Sequence, residues 1–218
     1  DKNFAPAYNM LGYSYSALDN YKEAEKAFQH YIKLIPNQAA SFDSYAELLL
    51  KMGKHDESMV QYKKALKIDP SFSYSLLGMA NNLVFKGMYS EARNYYQQYY
   101  DRSKSINGKF SALFWMATSY VHEGNVDGAL KILEERRMLA ILEKNIPYEI
   151  NSVATQAFIL AETGDVPRAV ELFKTAISMA ENADIHPDIK ENLKLSAKTW
   201  KIYSLAINNQ LDVARTEI

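Results

Sequence analysis

Apolar residues recur along this chain with the period of a helix. Between Tyr8 and Tyr15, the residues Tyr8, Leu11 and Tyr15 fall at i, i+3 and i+7, one face of an α-helix, with Gly12 as a small neighbour. A polar turn at Asp19 and Asn20 interrupts the pattern. A second stretch then carries Ala24, Phe28 and Tyr31 at i, i+4 and i+7 and stops at Pro36. The layout returns 34 residues on as Phe42, Tyr45, Ala46 and Leu49, a turn at Gly53, then Ser58, Tyr62, Ala65 and a stop at Pro70. A further 34 residues give Leu76, Met79, Ala80 and Leu83, a turn at Gly87, then Ala92, Tyr96 and Tyr99. The pattern predicts paired helices repeated along the chain.

Later copies keep the layout and stretch it. The turn residues Gly53, Gly87, Gly124, Gly164 and Asn209 are separated by 34, 37, 40 and 45 residues. Two columns of small residues run through the copies. After each turn stand Ala24, Ser58, Ala92, Ala129, Ala169 and Ala214. In each first helix stand Gly12, Ala46, Ala80, Ala117 and Ala157, with Ile202 a departure. If small residues fill about a fifth of positions, the first column arises by chance about once in 10⁴ trials. The physical demand is close approach: two helices joined by a short turn cross near it, and a bulky side chain would hold them apart. All six prolines sit at predicted helix ends. Asn20 precedes Glu23 at capping-box spacing, and Asp165 stands as an N-cap before Pro167.

These units resemble tetratricopeptide repeats, on Tyr8, Leu11-Gly12, Tyr15, Ala24, Phe28 and Pro36 in the first copy. The second copy matches well, the third lacks only the Pro, and the later ones keep the small columns and the turns. The resemblance implies an all-α fold, a right-handed superhelical solenoid of antiparallel helix pairs, forming one array over residues 1–218. Its repeats would be 5–38, 39–72, 73–109, 110–149, 150–186 and a partial 187–218. First helices would line the concave face. The extra residues of copies four to six predict helices longer by about a turn. Arg136 to Lys144 reads as continued helix, Ser103 to Gly108 and Glu181 to Pro187 as loops, and Asp188 to Asn208 as a long first helix. The last second helix would be cut at about two turns by Ile218, and the opening Asp1 reads as the start of a processed or excised piece.

Composition narrows the chemistry. With 25 basic against 26 acidic residues, net charge −1, no broad nucleic-acid footprint is expected. Without Cys there are no disulfides, thiolate metal sites or Cys nucleophiles. The longest apolar run, Ala112 to Ala117, is far too short to cross a membrane. The compartment stays open: cytoplasmic, or secreted or periplasmic after removal of a signal peptide. His30, His55, His122 and His186 have no metal-ligand spacing and read as exposed helix or turn residues. Glu134-Glu135-Arg136-Arg137 reads as a solvated charge run with local ion pairs. No phosphate loop or nucleophile elbow is present, so no catalytic, cofactor or metal residues are expected and the chain reads as a non-enzyme.

The resemblance implies a protein-interaction module that binds a peptide or partner protein in its concave groove. Two other readings are a structural or oligomerisation spacer and a regulatory sensor domain of a larger protein. If Leu11 and Tyr15 turn to the partner helix, the flank with Asn9, Met10 and Tyr13 faces the groove. The same offsets add Asp43, Glu47, Tyr74, Leu77, Asn81, Phe114, Thr118, His122, Phe158 and Tyr203. This strip is aromatic, acidic near copy two, and uncharged through its middle and end. Either Phe114, Trp115 and Phe158 pack between neighbouring first helices, or they form a groove for an apolar peptide whose basic residue meets Asp43 and Glu47. One subclass of the family holds chaperone C-termini with a basic clamp. The matching positions Asn9, Tyr13, Ser44, Tyr74 and Gly78 contain no cation, so no such binding is expected. Tyr95, Tyr96, Tyr99 and Tyr100, with Tyr89, crowd one helix, and some are expected on the surface.

Overall fold

The computed structural model describes residues 3–216, which fall into two compact units, one reaching Ala112 and the other beginning at Leu113. Twelve helices are present among the described residues: α1 (Ala5–Ala17), α2 (Tyr21–Leu34), α3 (Ala39–Lys51), α4 (His55–Ile68), α5 (Tyr74–Phe85), α6 (Tyr89–Arg102), α7 (Ile106–His122), α8 (Val126–Leu142), α9 (Ile146–Glu162), α10 (Val166–Asn182), α11 (Pro187–Ile207) and α12 (Leu211–Thr216). Helices α1 to α6 have 12 to 14 residues. Helices α7 to α10 have 17 and α11 has 21, close to the extra turn expected of the later copies.

One turn recurs. The backbone N–H three residues beyond the helix end returns to a carbonyl five residues back: Asn20 to Tyr15, Lys54 to Leu49 and Met88 to Leu83 in the first unit. In the second unit Asn125 bonds Tyr120, Asn145 bonds Ala140, Asp165 bonds Leu160 and Gln210 bonds Leu205. This Schellman closure needs a residue at positive φ just before the donor. Gly53, Gly87, Gly124 and Gly164 supply it at φ 73°, 74°, 81° and 91°. Asp19, Lys144 and Asn209 do so without being glycine, at φ 54°, 52° and 60°. The turn at Lys144 corrects the continued helix expected there: α8 ends at Leu142, and α8 joins α9 through the same closure used within pairs. The expected loop at 103–108 is also shorter, because α7 begins at Ile106 once Ser105 Oγ accepts the Gly108 N–H at 3.1 Å.

The two small columns are the helix crossings. Ala24, Ser58, Ala92, Ala129 and Ala169 have no exposed surface, nor do Ala46, Ala80 and Ala157. At Gly12 a Cβ would stand 2.6 Å from the Phe28 ring, so only glycine lets α1 lie this close to α2. Ser58 keeps its place because its hydroxyl donates to the Ala46 carbonyl at 2.7 Å and accepts from buried Asn82 at 2.9 Å. Asp165 caps α10 through its side chain as expected, but Asn20 makes no side-chain cap on α2.

Candidate functional site

In the first unit, α1 lies against α3 and α3 against α5, so the flanks of these first helices form one strip. Polar contacts stitch it. The Tyr13 hydroxyl donates to Glu47 Oε2 at 2.6 Å and stands 3.2 Å from Ser44 Oγ. Ser75 donates to Asp43 Oδ1 at 2.7 Å, and Tyr96 donates to Asn81 Oδ1 at 2.7 Å. Asp43 and Glu47 are one turn apart, and no basic side chain pairs with either among the described residues. Burial is the main force raising the Asp43 carboxyl to a pKa of about 6; the Glu47 charge adds to it and the Ser75 hydroxyl opposes it. Burial, then the bond to Glu47, pushes the Tyr13 hydroxyl well above its ordinary value. Asn9 is half-buried, while Tyr74 stands at the strip's edge with 62% of its surface exposed.

The corresponding strip of the second unit is built of rings. Phe158 on α9 meets Trp200 on α11 edge-to-face at 4.7 Å and stacks with Tyr203 at 6.4 Å. Trp200 and Tyr203 remain 43% and 45% exposed. Phe114, Ala154, Phe158, Ser196 and Trp200 line one shallow apolar cleft. Thr118 spends its hydroxyl on the Phe114 carbonyl, and His122 is exposed at the end of α7.

The profile of the tetratricopeptide repeat family matches residues 5–38 and 39–72, and a second profile of the same description matches residues 77–137. This chain belongs to the tetratricopeptide repeat family. Human superkiller complex protein 3 is 31% identical over 136 residues, 61% of this chain and 9% of that protein. This repeat chain therefore spans a small fraction of the curated relative it matches. PilW, titled a widely conserved type IV pilus biogenesis factor, superposes with a TM-score of 0.65 at 14% identity, covering 98% of this chain and 90% of its own. YrrB, titled a tetratricopeptide protein with an unusual peptide-binding site, gives 0.50 at 19% identity, covering 88% and 89%. These likenesses show a tetratricopeptide-type fold of consecutive helix pairs. Proteins of the family generally mediate protein–protein interactions and act as non-enzymatic scaffolds. No helix among the described residues is long and apolar enough to cross a membrane.

Several residues of this tetratricopeptide chain depart from expectation. Leu11 does not turn to its partner helix but is 44% exposed. Its counterpart Tyr45 is buried because it reaches the preceding α2, donating to Glu25 at 2.6 Å; α1 has no described helix before it. The charge run is not solvated throughout. Arg136 is 4% exposed, bonded to Ser152 Oγ at 2.9 Å and Asn151 Oδ1 at 3.2 Å, with the Tyr148 and Phe114 rings at 5.1 and 6.0 Å. Burial lowers its pKa to about 10. A cation therefore underlies the Phe114 end of a strip expected to be uncharged. The signal was in the spacing: Ala129, Leu133, Arg136 and Ala140 lie at i, i+4, i+7 and i+11, the buried stripe of α8. Of the crowded tyrosines none is fully exposed: Tyr96 and Tyr99 are buried, while Tyr89, Tyr95 and Tyr100 are half-buried. His30 and His55 are also half-buried, against Tyr8 and Phe85 respectively.

Proposed function

We propose that this tetratricopeptide chain is a non-enzymatic module that holds a peptide segment of a partner protein on the strips of its first helices. The observation that carries the reading is the ring cluster of the second unit. Phe158, Trp200 and Tyr203 are packed against one another, which limits their motion, yet two of them stay nearly half exposed. Rigid aromatic rings left partly wet gain most when an apolar side chain covers them, and such anchors dominate many interfaces. In the first unit, Asp43 and Glu47 lack a cation, and a Lys or Arg of the peptide would supply one. Phe114, Thr118 and His122 complete the proposed strip in the second unit, and Asn9, Tyr13, Tyr74 and Asn81 in the first.

The test is selection from a random peptide library, followed by calorimetry on the winners. Enriched peptides are expected to carry an aromatic or large aliphatic residue and a basic one. The pair Phe158→Ala and Trp200→Ala should weaken winners by about tenfold or more. The pair Asp43→Asn and Glu47→Gln should weaken only those with the basic residue. Winners that bind both folded variants as tightly as the parent would overturn the reading.

A further inference from the structure

The first unit holds a second polar feature, whose lining does not include Asp43 or Glu47. The segment between α4 and α5 and the segment between α6 and α7 together wall a pocket. Its lining is rich in hydrogen-bond donors. Arg102 and Lys104 bring two positive charges, and neither forms an ion pair with any described residue. Arg102 spends one N–H on the Pro70 carbonyl at 3.2 Å, leaving the rest of its guanidinium open. Lys104 makes no hydrogen bond among the described residues. The hydroxyls of Ser73 and Tyr74 are likewise uncommitted, and Ser105 Oγ accepts from Gly108 while its own hydrogen stays free. Ser73 is also the N-cap of α5, and its side chain does not cap that helix. A carboxylate that opposes this charge is Asp69. It is already held by the Ser71 N–H at 2.8 Å and hydroxyl at 2.7 Å, and its pKa is lowered by those bonds first and by Lys104 last.

Donors that converge without acceptors call for an anion, and the count selects its kind. Two unpaired cations match a dianion, and the Arg fork, an ammonium and three hydroxyls match more acceptor oxygens than one carboxylate offers. We propose that this pocket binds a phosphate monoester, carried either by a small molecule or by a phosphoserine side chain. A phosphodiester has one charge per group and leaves one cation unmatched, which disfavours nucleic acid.

The test titrates the isotope-labelled full chain with inorganic phosphate and follows its amide resonances. Saturable shifts at Tyr74, Ser75 and Lys104 are expected, and Arg102→Gln with Lys104→Gln should weaken them about tenfold. Both side chains are exposed, so the folded state of the double variant is confirmed by its unchanged circular dichroism. A phosphoserine peptide binding tighter than inorganic phosphate identifies a protein source, and equal binding identifies a small-molecule source; both support the pocket. Shifts that do not saturate, that survive the double variant, that acetate reproduces, or that an oligonucleotide exceeds would each overturn the proposal. Tyr74 borders both features, but the variants of the peptide selection, at Phe158, Trp200, Asp43 and Glu47, lie outside this pocket's lining, so either reading can fail alone.

Discussion

The two units solve the same packing problem and then diverge on the face their first helices leave open. Up to Ala112 the helices are short and the strip is tied by hydroxyl-to-carboxylate bonds, Tyr13 to Glu47 and Ser75 to Asp43. From Leu113 on, α8 to α11 are longer by a turn or so, and the equivalent column holds Phe158 and Tyr203. The crossings are alike in both: Ala80 and Ala157 are equally sealed. The lesson is that the crossing column is dictated by close approach, which tolerates one solution. The open column is dictated by whatever touches it, so it is free to vary.

The largest effect should come from breaking what the units share. Ala80→Leu and Ala157→Leu each force a leucine into a closed crossing, and about 1–3 kcal/mol should be lost in each case. Both tryptophans, Trp115 and Trp200, lie in the second unit. Tryptophan fluorescence therefore follows that unit, while circular dichroism follows both. The Ala157 variant should move the fluorescence melt, and the Ala80 variant should move the dichroism melt more than the fluorescence melt. Unchanged melts for both variants would mean that these columns are not crossings.

Next is the buried cation that only the second unit carries in its strip. Arg136→Ala removes two charge-assisted bonds; Ser152 keeps its bond to the Tyr148 carbonyl and exposed Asn151 turns to water, so the cost should be about 1–2 kcal/mol. Lys should not restore it, because one ammonium cannot reproduce the planar fork between two acceptors and two rings. Full recovery in Arg136→Lys would show that charge alone is needed.

How much of this was legible in the residues follows from the same contrast. Ala24, Ala129 and Ala169 were readable because burial at a crossing admits few side chains, so the column repeats. The turns at Gly53, Gly87, Gly124 and Gly164 were readable because positive φ favours glycine. The turn at Lys144 was not, since a non-glycine residue carries the same φ and nothing in its type announces it. Arg136 was masked by its charged neighbours, although its helical phase put it on the inner stripe. The strip residues could be placed on a flank by offset, but their bonds could not. Whether Tyr13 meets Glu47 depends on the register of two helices 34 residues apart, which no local pattern encodes.

The acidic pair gives the first unit a pH response that the second unit's rings lack. Asp43 has a folded pKa near 6, above the ordinary carboxylate value, so the folded state binds its proton more tightly than the unfolded chain does. This contribution is fully present below about pH 4 and is lost as pH rises through about 6. Because the group is partly solvated, the amplitude should be held to about 1–2 kcal/mol. The difference in stability between the parent and Asp43→Asn should therefore change between pH 4 and 7, the parent losing ground as the carboxyl ionises. A constant difference across that range would show that Asp43 ionises in the folded chain as freely as in the unfolded one.

The smallest effect sharpens the contrast at a single atom. Tyr13→Phe deletes one hydroxyl, the donor to Glu47, and leaves the ring against Phe28, where the centroids stand 5.2 Å apart and nearly perpendicular. The ring packing is kept, so only the tie between α1 and α3 is lost. Because the site is partly wet, water can take over the Glu47 oxygen, and about 0.5–1 kcal/mol should go. Amide hydrogen exchange is the suitable measurement, since it resolves one helix at a time. Protection should fall along α1, with α9 and α11 unchanged. Equal protection along α1 in the variant would mean that the ring alone anchors the helix, making the first unit's strip, like the second's, held by its rings.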